Sequence, residues 1–130
     1  MIPGRVEFFD MIDGASVRFG WPVAPSAAAM EQCRVEAICL DDFSGDPVVE
    51  AAALFFALAF DERRTRPATG LLPFVVALHH LHDHRTPLRL EDPSELAWLR
   101  HAIAEGSADW PEVRAWFRAR TGRAPEGEDG

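Results

Sequence analysis

The 130-residue chain contains no lysine, no asparagine and no tyrosine. Without lysine it can form no Schiff base and lacks the cation of a phosphate-binding loop. Each of its 13 fixed cations is an arginine, whose flat, forked head suits carboxylates and phosphates. Cysteine is scarce. Cys33 and Cys39 stand six positions apart, about 240° around a helix, so they cannot bridge within one and are expected as reduced, half-buried thiols. The acids around them raise rather than lower a thiol pKa, and neither is read as a nucleophile. No serine stands in a nucleophile-elbow motif, and Ser16, Ser26, Ser44, Ser94 and Ser107 read as turn or cap residues. The longest apolar run, residues 51–60, is far short of the roughly 20 needed to cross a bilayer. No basic stretch followed by an apolar segment opens the chain. A soluble, cytoplasmic protein without a membrane partner is the expectation.

With 48% hydrophobic residues the chain can bury a core, and its length suits a single domain. The formal charge of −8 is unevenly spread. Residues 1–62 carry eleven carboxylates against three arginines, whereas residues 63–130 carry ten of each. A nucleic-acid binder needs a basic face, and a net-acidic chain with matched arginines has none to offer.

Apolar spacing indicates an all-α bundle of five to six helices over residues 1–121, followed by a polar flexible tail over 122–130. The stretch 5–18 is open between helix and short strand or hairpin: Val6, Phe9 and Ile12 would share a helical face, but Gly14 and Gly20 interrupt it. Ser26 can cap a helix with a Met30, Cys33, Ala37 and Leu40 stripe, Glu31, Arg34, Asp41 and Asp42 lying outside it. Asp46 and Pro47 start a helix through residue 60 that is apolar on nearly every side, which predicts a central position with Phe55 and Phe56 in the core. Thr69 can cap a further helix over residues 71–84, tolerating Pro73 in its first turn. Asp92-Pro93-Ser94-Glu95 and Asp109-Trp110-Pro111-Glu112 open two more, with stripes of Leu96, Leu99 and Ile103 and of Val113, Trp116 and Phe117. Trp21, Trp98, Trp110 and Trp116 are expected in packing positions.

The densest set of metal donors is His79-His80-Leu81-His82-Asp83-His84. On a helix His80 and His84 share one edge and His79 and Asp83 another, so each edge offers two donors. Zinc needs three or four; His101 is the only other histidine, and the glutamate of H-E-x-x-H is missing. The competing reading is a helix end whose histidines face its negative pole.

The order of segments resembles the Fic/Doc superfamily, in particular the short Doc-type (death-on-curing) toxins. The likeness lies in residues 51–59, similar to the apolar helix before the family's active-site loop, and in residues 75–81, similar to the helix after it. Residues 88–96, 102–106 and 113–120 resemble its C-terminal turn and helices, so about 80 residues are covered, by pattern and spacing. The resemblance implies an active-site loop with the motif H-P-F-x-D-G-N-(K/R)-R, in which a histidine base and a metal-binding acid act on phosphates held at a helix N-terminus. Here the corresponding stretch is Glu-Arg-Arg-Thr-Arg-Pro-Ala-Thr-Gly-Leu, residues 62–71. The histidine falls on Glu62 or Arg63, the acid on Arg66 or Pro67 and the asparagine on Ala68 or Thr69. Base and magnesium ligand are both missing, so the family's transfer of AMP or phosphate should fail.

No catalytic residue is assigned. The first functional expectation is a catalytically degenerate Doc-like module that binds another protein, in a toxin-antitoxin-like regulatory context, through the acidic surface of residues 31–50. The second is a divergent nucleotide-dependent transferase. In it Arg63, Arg64 and Arg66, with Thr69 and Gly70, hold a nucleotide, with or without magnesium, or another phosphate-containing small molecule. Arginines paired with local acids in a solvated loop are the plainer reading. Zinc at the histidine cluster is the remaining cofactor expectation.

Overall fold

A computed structural model of the chain describes residues 1–19, 26–60, 72–90, 92 and 94–121. Among these there are six helices and no strand: α1 (Arg5–Phe19), α2 (Ala27–Asp41), α3 (Pro47–Phe60), α4 (Leu72–Asp83), α5 (Ser94–Glu105) and α6 (Trp110–Arg120). The all-α expectation holds, and the open stretch near the N-terminus is helical.

Local chemistry sets the helix starts. The Ser26 hydroxyl accepts from Ala29 N at 3.3 Å, and Asp46 Oδ1 accepts from Val48 N at 2.9 Å, each using an amide that the first turn leaves unpaired. Asp109 and Glu112 form a reciprocal capping box at α6. At α5, Asp92 Oδ1 accepts from Ser94 N while Asp92 N donates to Glu95 Oε2. Helix α4 ends without a glycine. Arg85 takes φ 55°, and Thr86 N reaches back to Leu81 O at 2.9 Å, closing the last turn.

Helix α3 packs against α2, α4, α5 and α6 and divides the interior in two. On one side Ala53, Leu54, Ala57 and Leu58 meet Phe8 and Ile12 of α1, Met30, Cys33 and Ala37 of α2, and Leu72 and Val76 of α4. On the other, Val48, Ala51, Ala52, Phe55 and Ala59 meet Ala77, Leu81, Leu96, Leu99, Ile103, Val113 and Phe117. Alanines let the neighbouring helices approach closely. Phe55 fills the space they leave, with ring centroids 5.7 Å from Phe74 and 5.4 Å from Phe117.

Several expected positions differ. The buried face of α1 is Phe8, Ile12 and Ala15, one step round from the expected one, so Val6 is exposed; Gly14 is accommodated inside the helix with open space around it. Asp41, expected outside, is buried because the turn after α2 folds back and Ser44 Oγ donates to it at 2.5 Å. Cys33 is fully buried and Cys39 exposed, so neither thiol is half-buried. Phe55 is buried and Phe56 partly so, while Trp98, on the outer face of α5, is 63% exposed and is no core residue. Trp110 and Trp116 pack at the edge of the second cluster. Trp21, Gly20 and the tail 122–130 lie outside the described residues.

Candidate metal centre

Glu50 sits in the first turn of α3, where a negative charge meets the positive end of the helix. Because this first turn of α3 is enclosed by its neighbours, the carboxylate cannot reach solvent, and its exposure is 0%. The expectation that it belongs to an acidic outer surface is therefore incorrect. Burying a carboxylate costs several kcal/mol unless partners compensate. One comes from α4: His80, also buried, places Nε2 2.8 Å from Glu50 Oε1. On the other oxygen, Oε2, the ammonium of Met1 lies at 2.5 Å.

Charge states follow from these surroundings. Burial pushes the Glu50 pKa up, but the hydrogen bonds and charges of the ammonium and His80 outweigh it and hold the carboxyl below its ordinary value. Burial also lowers the His80 pKa, which the hydrogen bond to Glu50 only partly offsets. The pair is a carboxylate and a neutral imidazole, with His80 Nε2–H donating to Glu50.

His84 lies one turn beyond His80, with ring centroids 4.4 Å apart. Its Nδ1 is 2.9 Å from His80 O, and since a carbonyl only accepts, Nδ1 carries the proton. That leaves the Nε2 lone pair free for a ligand, and the same carbonyl contact orients the ring. One donor atom from each of Glu50, His80 and His84 lies within 4.8 Å of the others, so the three can hold a metal ion. A tetrahedral zinc ion needs donors about 3.4 Å apart, which modest side-chain rotation supplies, His84 being exposed. Binding through His80 Nε2 displaces its proton.

A cleft of about 610 Å³ between the N-terminal part of α1 and the end of α4 opens onto the two histidines and is also lined by Glu7, Asp10, His79 and Asp83. Of the donors expected from sequence, the structure brings His80 and His84 together. His79 and Asp83 pair with each other at 3.3 Å on the neighbouring edge and stand outside the triad. His101 pairs with Glu105 at 2.8 Å on α5 and supplies no donor to it. The third ligand is Glu50, which lies 30 positions from His80. A lone acid in an otherwise apolar helix was the signal for it. Arg63, Arg64, Arg66, Thr69 and Gly70, with Glu62, Pro67 and Ala68, lie outside the described residues.

A second concavity, of about 380 Å³, runs between α2 and α3 and is walled by Val35, Cys39, Leu40, Phe56 and Phe60, with Glu36 at its edge. No described helix is long and apolar enough to cross a membrane. Compared with family models, curated proteins and solved structures, the chain matches none. The Fic/Doc resemblance thus rests on the sequence pattern alone.

Proposed function

We propose that the chain is a helical metal-binding domain in which Glu50, His80 and His84 hold one divalent transition ion. The carrying observation is the fully buried Glu50 carboxylate, set in the most apolar helix and facing two imidazoles within ligating range. Two imidazole nitrogens and one carboxylate oxygen are a borderline donor set: they suit zinc and its neighbours, whereas magnesium and calcium prefer all-oxygen shells. A neutral His80 and an ionised Glu50 are the protonation states such an ion requires. Calorimetric titration of tag-free, chelator-treated protein tests the reading. One zinc per chain and no heat with magnesium is the expected result; equal response to both ions, or none to zinc, refutes it.

A second reading, a Doc-like regulatory module that binds another protein, is favoured by the α2–α3 groove, where Phe60 is 53% exposed and Val35 45%. A groove with such walls suits an apolar side chain of a partner. Phe60→Ser should weaken binding to the partner without lowering stability, and an unchanged affinity would sink this reading.

A further inference from the structure

Structural zinc sites are closed by four protein ligands, whereas a site with three keeps one position for water or an external ligand. The triad Glu50, His80 and His84 is of the second kind among the described residues, since His79 and Asp83 are engaged with each other. The side on which a fourth ligand can enter is visible. The cleft of about 610 Å³ reaches both histidines, and this volume is in the range of small-molecule sites.

The walls of that cleft carry carboxylates at Glu7, Asp10 and Asp83 and no arginine. An anion entering to meet the metal must pass three negative groups, while a neutral or cationic nitrogen base pays no such penalty. The Met1 ammonium, also on this wall, is paired with Glu50 Oε2 at 2.5 Å, which offsets its charge. We infer that the metal's fourth position opens to this cleft and takes a neutral nitrogen donor, of the amine or imidazole class, in preference to an anion. This rests on the reading of Glu50, His80 and His84 as metal ligands. It also separates the centre from any phosphate chemistry of the arginine-rich segment 63–66, since phosphates are the ligands its rim disfavours.

Cobalt replaces zinc in such sites and reports its ligands through visible absorption bands. The cobalt-loaded full-length chain is titrated with imidazole and with azide at about 0.15 M ionic strength, where charges beyond about 8 Å are screened. Imidazole is expected to change the spectrum and to bind at least about tenfold more tightly than azide, a ratio equivalent to about 1.4 kcal/mol. In the double variant Glu7→Gln, Asp10→Asn, azide affinity should rise about threefold or more while that of imidazole stays within about twofold, because only the rim charge has changed. Glutamine at position 7 keeps the acceptor for Gly4 N. Bound cobalt that responds to neither ligand would overturn the open position and leave the metal reading standing. Azide binding as tightly as imidazole, or a ratio unmoved by the double variant, would overturn the selectivity. Failure to take up cobalt at all would overturn both readings.

Discussion

Glu50→Gln changes the candidate centre with little change in shape, and its consequences differ sharply between the metal-free and metal-bound protein. Without metal, glutamine can still accept from His80 Nε2 across the present 2.8 Å contact. A charged hydrogen bond worth about 1.5–3 kcal/mol becomes a neutral one worth about 0.5–1.5. The cost of burying a carboxylate at 0% exposure disappears at the same time. The ion pair of Oε2 with the Met1 ammonium is lost as well. The end of carboxylate burial opposes these two losses, and the net destabilisation of the metal-free variant should stay within about 3 kcal/mol. With zinc at about a thousand times its dissociation constant, the native protein gains about 4 kcal/mol by linkage. Loss of an orienting group outside the ligand shell already weakens metal sites by 10–100-fold, so loss of a ligand is set at about 100-fold or more. The variant then gains about 1.4 kcal/mol or less. For a chain of this size the difference is roughly 10 °C in the zinc-induced rise of the unfolding midpoint. Thermal unfolding in chelator and in zinc, for both proteins, reads all four values. Equal zinc-induced shifts would refute the reasoning, because Glu50 would then contribute nothing to the bound state.

Acid should destabilise the metal-free protein in two stages. His80, its pKa lowered from 6.5, stays neutral in the fold where the unfolded chain takes up a proton, so stability falls as pH drops below about 6.5. Glu50, lowered from 4.5, contributes stability that is present above that value and lost as pH falls further. Urea midpoints should therefore decrease from pH 8 to 5.5, and His80→Gln should flatten the trend; a midpoint rising over this interval would contradict the sign for His80. Phe55→Ala empties the space between Phe74 and Phe117 and should cost about 3–5 kcal/mol in urea unfolding, a loss under 1 kcal/mol showing that the second cluster is not packed as described. Arg85 holds φ 55° at the end of α4, so Arg85→Gly should stabilise by about 1 kcal/mol, and a destabilising result would place the strain elsewhere.

What could be read in advance was what depends on near neighbours. Ser26, Asp46, Asp92 and Asp109 are cap residues because their side chains reach amides two or three positions on, and each works where its spacing indicated. Likewise His80 and His84 meet because they are one helical turn apart. Less legible was anything that depends on which helix packs where. The buried face of α1 is offset by a single residue, an error that periodicity across a glycine-containing stretch does not resolve. Counting Glu50 with its acidic neighbours placed it on a surface, although α3 has no surface at that point. Its partnership with His80 spans 30 positions and is created by the α3–α4 packing alone. Trp98 shows the converse, a large apolar residue on a helix whose inward stripe is already filled by Leu96, Leu99 and Ile103.

The most direct test of the account is equilibrium zinc binding to tag-free protein, the native chain beside Glu50→Gln, His80→Gln, His84→Ala and, as control, His101→Ala. One zinc per native chain is expected, with affinity reduced about 100-fold or more in each of the three triad variants and no change in the control. Zinc binding that survives all three triad substitutions, or that is lost with His101, would contradict it.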